Sequence, residues 1–256
     1  MNDRMPVLFV GHGSPMNAIE DNEFSRAWQE AARAIPEPSA IVCISAHWET
    51  IGTQVTAMDA PRTIHDFYGF PKALFDKQYP APGSPKLASR ISELVKTSSV
   101  LPDQSWGLDH GAWSVLSRMY PQAEVPVVQL SLDRSLKADE HYALGRELRG
   151  LRQEGVLIVG SGNIVHNLRL MVWEDTAFEW AVEFDARVRE WIIQQDHASI
   201  IHYEKYGQPA ILAVNSAEHY LPLLYVLGLQ EKDEPVSFFA EKLWGGSLSM
   251  RCVRIG

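Results

Sequence analysis

Three apolar runs in this chain each end in a histidine. Val7-Leu8-Phe9-Val10 leads into Gly11-His12-Gly13-Ser14-Pro15. Ala40-Ile41-Val42-Cys43-Ile44-Ser45 leads into Ala46-His47-Trp48. Val156-Leu157-Ile158-Val159 leads through Gly160-Ser161-Gly162-Asn163 to His166. Continuous β-branched runs mark strands buried on both faces of a parallel sheet. In open α/β sheets the ligand sits outside the carboxyl ends of such strands. The pattern therefore gathers His12, His47 and His166 at one sheet edge, where clustered imidazoles usually hold a metal ion.

The intervals between strands carry helical periodicity. Helices are expected at 22–35, with Phe24, Trp28, Ala31 and Ile35 on one face, and at 84–97, entered through the N-cap pair Ser84-Pro85. Others are expected at 112–119, 138–153 and 177–194, with a last one opened by Pro222 and ending near Gly228. Strands are expected at 5–12, 39–47, 53–58, 125–132, 156–161 and 210–214. Two more, 236–242 and 247–255, are joined through Gly245-Gly246, a hairpin signal. The fold class is α/β: a mostly parallel, mixed central sheet flanked by helices, with a C-terminal antiparallel hairpin. With 256 residues, 46% of them hydrophobic, one domain spanning 1–256 suffices.

Several function classes fall away. The net charge of -9 disfavours nucleic acid as a partner, because phosphate binding needs a basic face. No apolar stretch approaches the ~20 residues of a membrane span. Met1-Asn2-Asp3-Arg4-Met5-Pro6 runs straight into a strand without the pattern of a secretion signal. Cys43 and Cys252 lack C-x-x-C spacing and read as two buried free thiols, so the cytoplasm is the expected address. The sequence has no phosphate loop, no G-x-G-x-x-G and no H-E-x-x-H. It also lacks a G-x-S-x-G elbow, which leaves Ser14 and Ser161 as poor nucleophile candidates.

Further histidines complete the candidate set. His219 follows Glu218 at a helix entrance, and either side chain suits a metal. The carboxylate would complete a two-histidine, one-carboxylate triad, the imidazole an all-nitrogen site. His110, in Leu108-Asp109-His110-Gly111, fits an acid/base role or a helix-entry role equally well, and Asp109 beside it cannot be assumed to orient it. His65 and Asp66 lie in an aromatic loop, Thr63 to Pro71, and His65 is a candidate substrate contact. Trp48, Trp106, Trp113, Phe67 and Tyr68 are candidate pocket walls, whereas His141, His197 and His202 read as surface residues.

With these segments in hand, the chain resembles the DOPA 4,5-dioxygenase family of extradiol ring-cleaving enzymes, in the LigB-like class III superfamily. The matching stretches are Gly11 to Met16, Ser45 to Trp48, Thr63 to Pro71, Tyr79 to Gly83, Gly107 to Gly111, Gly162 to Leu168 and Glu218 to Leu223. They run in family order across nearly the whole chain and look most similar to bacterial members described with zinc. The resemblance implies that His12, His47 and His219 bind a metal. His166 either completes that set or serves as acid/base beside it, and His110 acts as a catalytic neighbour. It also implies a small aromatic diol and O₂ as partners, with no role for nucleic acid or membrane. Zn²⁺ is expected in the protein as isolated, because nitrogen-rich sites hold it tightly, and Fe²⁺ for oxygen chemistry. The alternatives are a zinc-dependent hydrolase and a metal-holding binding protein without catalysis. Oligomeric state is not legible in the sequence.

Overall fold

The computed structural model describes residues 4–256. Its strands are β1 (Val7–Gly11), β2 (Ala40–Thr50), β3 (Thr53–Thr56), β4 (Val100–Asp103), β5 (Val127–Asp133), β6 (Val156–Gly162), β7 (Val236–Phe239), β8 (Leu243–Trp244), β9 (Leu248–Ser249) and β10 (Cys252–Ile255). Its helices are α1 (Glu23–Arg33), α2 (Lys72–Phe75), α3 (Pro85–Leu94), α4 (His110–Met119), α5 (Ala138–Glu147), α6 (Glu179–Gln194), α7 (His197–Ile201), α8 (Gln208–Ala213) and α9 (Leu221–Gly228). Eight strands form one sheet in the order β4-β3-β5-β2-β6-β1-β10-β7. The central four, β5, β2, β6 and β1, are mutually parallel, so their carboxyl ends share one edge. Antiparallel pairing begins outside them, at β3 with β5 and at β10 with β1 and β7.

Side chains on the central strands alternate between two apolar layers, as a pleated strand requires. Leu8, Val10, Ile41, Cys43, Leu157 and Val159 pack with Trp28 of α1 and Trp113 of α4. Val7, Phe9, Val42, Ile44 and Ile158 pack with Leu144 of α5, Val188 of α6 and Leu223 of α9. Both faces are covered, which explains why the strand sequences show no polar alternation. No helix is long and apolar enough to cross a membrane among the described residues.

Helix caps follow the local chemistry. Asn22 caps α1 in a capping box with Ser25, and Ser84 caps α3 with Pro85 in the first turn. Asp109 accepts from Ala112 N and starts α4 at His110, two residues earlier than periodicity suggests.

Other expectations change more. The apolar run near 210–214, read as a strand, is α8. Gln208-Pro209 opens it with proline in the first turn, and Val214 keeps only a single bridge to His166. Edge strand β4, which contains Pro102, has no alternating signature. The C-terminal strands do pair antiparallel, as β7 with β10. Gly245-Gly246, however, turns a separate two-stranded ribbon, β8 with β9, where both glycines have positive φ (64° and 79°).

Candidate metal centre

Five histidines line one cavity of about 700 Å³ at the carboxyl edge of the central strands. His12 follows β1, and its backbone N donates to Gly162 O (3.0 Å). His47 lies within β2, just where the register against β5 shifts between Ile44 and Glu49. That irregularity brings a strand residue into the cavity instead of the core. His110 is the first residue of α4, His166 lies in the loop after β6, and His219 lies just before α9.

The rings of His12, His47 and His219 form a near-equilateral triangle, with centroids 5.0, 5.2 and 5.0 Å apart. Two flanking rings complete the cluster. His110 packs on His47 with centroids 3.9 Å apart. His166 stacks face to face on His219 at 3.4 Å and 6°. Ligand atoms of His12, His47 and His110 all lie within 4.8 Å of one another, as do those of His166, Glu218 and His219.

Hydrogen bonding fixes which nitrogens are free. The single proton of Ser161 Oγ goes to Gly111 O (2.6 Å), so at its 3.0 Å contact with His12 Nδ1 the serine accepts. His12 is thereby protonated on Nδ1, and its Nε2 carries a lone pair. Glu218 Oε1 accepts from Ser216 Oγ (2.9 Å) and from His219 Nδ1 (3.0 Å). The buried His219 Nε2 is then a lone pair with no partner. Glu218 thus backs His219 and leaves the imidazole to face the cavity, which separates the two candidates left open by sequence. A carboxylate behind a ligating histidine is the usual way to set its tautomer and orientation.

The inward nitrogens fit a metal. His12 Nε2 and His47 Nε2 are 3.2 Å apart. Two imidazole nitrogens sharing one ion at ~2.0–2.1 Å would be ~3.0–3.4 Å apart. Burial also keeps the rings neutral, as metal binding needs. Desolvation first, then the neighbouring histidines, holds His12 and His219 well below the ordinary histidine pKa. Burial lowers His47 to about 3, with His110 adding to the effect and Asp66 opposing it. Burial lowers His166 to about 4 against the opposing charge of Glu218.

Asp66 is the residue that sequence reasoning undervalued. Its Oδ1 accepts from His110 N (2.9 Å), while Oδ2 lies 2.9 Å from His110 Nδ1, off the N–H line, and 3.9 Å from His47 Nδ1. Asp109, the sequence neighbour, instead accepts from Ser45 Oγ (2.7 Å) and from Gln129 Nε2 in the buried layer beneath.

His65, expected at the substrate, is elsewhere. Its Nε2 is 2.8 Å from Lys77 O, and its ring packs on Phe67, Phe75 and Trp113, so it does not line the cavity. It holds the aromatic loop in place. Of the candidate wall residues, Phe67 and Tyr68 line the cavity. Trp48 and Trp106 stack on each other (5.5 Å, 5°), and Trp113 is core, donating to Ile64 O. Trp173 and Trp244 take the wall positions instead. His141, expected at the surface, is fully buried with Nδ1 2.9 Å from Tyr225 OH, because it faces α9. His197 is half-buried, and its Nδ1 lies 2.8 Å from Tyr142 OH, while His202 is half-exposed. Cys43 and Cys252 are both buried and free.

Comparison with known proteins agrees with this geometry. Residues 6–247 match the family described as the catalytic LigB subunit of aromatic ring-opening dioxygenase. The chain is 49% identical to a 4,5-DOPA dioxygenase extradiol of Escherichia coli (strain K12), covering 99% of this chain and 95% of that one. It is 39% identical to the 4,5-DOPA dioxygenase extradiol of Beta vulgaris, covering 95% and 93%. The crystal structure of an uncharacterized protein from Escherichia coli K12 superposes with a TM-score of 0.87 at 45% identity, covering 99% of this chain and all of the other.

Proposed function

The chain belongs to the LigB family of aromatic ring-opening dioxygenases and is an extradiol enzyme; from that premise we propose that it opens the ring of a DOPA-type catechol with O₂, at an ion held by His12, His47 and His219. The observation that carries this reading is the triangle of rings in which the outward nitrogens of His12 and His219 are tied to Ser161 and Glu218. Iron(II) bound there supplies the redox chemistry that O₂ needs to react with the ring, whereas zinc has none. The all-nitrogen ligand set retains zinc more firmly than iron(II), so zinc is expected in the protein as isolated.

The remaining residues handle protons and position. His166 is neutral at cellular pH, as burial dictates, and acts as the base that takes a catechol proton and returns it. Its stacking on His219, instead of an edge-on approach, supports a role beside the metal over a role as a fourth ligand. His110, steered by Asp66, is the second proton carrier on the opposite side of the cluster. Phe67, Phe70, Met16 and Leu248 form apolar walls that orient the ring and exclude water. Residues 1–256 act as one catalytic domain. Two free thiols suit a reducing compartment, the cytoplasm.

The test is metal exchange. Protein stripped of metal and reloaded anaerobically with Fe(II) should consume one O₂ per catechol on exposure to air. His166→Gln should keep its ion and lose most turnover. Absence of O₂ uptake with every catechol tried would reject the proposal.

A further inference from the structure

A second cavity, of about 560 Å³, lies away from the histidine cluster. It opens where the ends of α5 and α9 meet the turn between α6 and α7, and Tyr142, Arg146, Arg149, His197, Gln230 and Lys232 line it. Helix α9 separates the two places: it starts two residues after His219 and stops two residues before Gln230, a length of about 12 Å. The chain has a net charge of -9, yet this wall is positive. Its one carboxylate among the described residues, Glu231, is paired with Arg4. Arg146, Arg149 and Lys232 have no carboxylate partner among the described residues. Arg149 Nη2 donates to Gly228 O (3.0 Å) and Gln230 O (3.4 Å), which covers the partially negative end of α9. Burial raises the Tyr142 pKa while Arg146 and Arg149 oppose the rise, so both guanidinium charges reach its hydroxyl.

The same wall holds buried donors with nothing to bind. His197 Nε2 lies 2.8 Å from Gln230 Oε1, which only accepts, so that ring nitrogen donates. His197 Nδ1 then accepts from Tyr142 OH (2.8 Å). This relay fixes the Gln230 amide with its oxygen toward the ring. Gln230 is only 7% exposed, and its Nε2 has no partner among the described residues. Arg149 Nε is buried and equally without a partner there. A buried donor lacking an acceptor is costly, and a ligand that brings acceptors removes the cost. Unpaired cations beside unused N–H donors match a phosphate group, which offers up to two negative charges and three acceptor oxygens.

We propose that this cavity is a second ligand site, for a phosphate group, either the free ion or the ester of a small molecule. Arg146, Arg149 and Lys232 supply the charge, while Gln230 Nε2 and Arg149 Nε supply the N–H donors. A carboxylate, planar and singly charged, engages fewer of them. The histidines of the metal centre take no part, so the site stands or falls apart from the ring-opening reading.

The test is calorimetry on the zinc-loaded protein with inorganic phosphate, glycerol 3-phosphate and acetate. Phosphate and its ester should each saturate one site per chain, more tightly than acetate, and weaken as salt rises. A tighter ester identifies a phosphorylated small molecule as the occupant, and a tighter free ion identifies inorganic phosphate. Gln230→Glu keeps the acceptor for His197 and replaces the free donor by a charge, so it should abolish the site. Arg146 and Lys232 are exposed and unpaired, so reversing them spares the fold. Arg146→Glu combined with Lys232→Glu should weaken binding about tenfold. No saturable binding of either phosphate, or acetate binding as tightly, would overturn the proposal. So would phosphate binding that survives both sets of substitutions, since it then sits elsewhere, the metal included.

Discussion

Gly162 at the end of β6 offers a sharp perturbation of the centre without touching a histidine. A Cβ built there would lie 2.1 Å from His219 O, 3.1 Å from His219 C and 3.3 Å from Pro222 Cγ. The obstacle is backbone, so no side-chain rotation relieves it. For Gly162→Ala the loop carrying His219 must retreat by about 1 Å to reach ordinary contact, and the Asn163 N–His219 O hydrogen bond (2.8 Å) is strained with it. Overpacking of this kind costs about 1–3 kcal/mol of stability, which a chain of this size tolerates. Misplacing a metal-holding imidazole by about 1 Å costs far more in function, on the order of a hundredfold in turnover. Gly150→Ala is the control, since its Cβ meets only Leu94 Cδ2 at 3.9 Å. Metal content by mass spectrometry, kcat/KM by O₂ uptake and Tm are measured on both. Gly162→Ala should fold, with a lowered Tm, and lose metal and activity, while Gly150→Ala keeps both. A Gly162→Ala protein with full metal content and turnover would refute the close-packed role given to this glycine.

Other expectations concern stability. His141 is buried and its pKa falls to about 4, chiefly through desolvation. The unfolded chain protonates it near 6.5, so its contribution is complete above that pH and is lost as pH falls from 6.5 to 4. The loss is worth about 3 kcal/mol. Urea unfolding from pH 7.5 to 4 should show that loss in the wild type relative to His141→Leu; parallel curves would contradict it. Arg152 is fully buried and donates to Met5 O, Leu229 O and both oxygens of Glu234. Arg152→Ala strands the Met5 and Leu229 carbonyls, while Glu234 keeps Arg4 (2.8 Å) and Glu231 N (2.7 Å), and should cost about 2–4 kcal/mol in the same assay; a cost below about 1 kcal/mol would show that water replaces the guanidinium freely.

What sequence revealed, and what it hid, follows from the range of the forces involved. The β1, β2 and β6 runs were legible because strands buried on both faces must be apolar throughout, and their carboxyl ends then had to share an edge. The histidines at those ends followed from the topology. The run at 210–214 misled because a short apolar segment suits a strand or a helix, and the proline-opened first turn decided the matter. His65 misled because neighbours in sequence diverge in space: Asp66 turns to His110, while His65 turns away to Lys77 O. His141 looked like a surface residue until α9 covered it. The residues alone left Glu218 and His219 open, the family resemblance pointed to His219, and the hydrogen bond between them shows how Glu218 backs the imidazole. Gly160 and Gly162 leave room for the protein's own 219–222 backbone, an approach that the sequence of either segment alone does not display.

The most direct measurement is a structure of the protein soaked with Fe(II) or Zn(II), with anomalous scattering to locate the ion. A single ion bonded to His12, His47 and His219, with the His166 ring beside it and unligated, is the expected result. An ion held instead by His166, Glu218 and His219, or by His12, His47 and His110, would contradict the proposed centre and the proton roles derived from it.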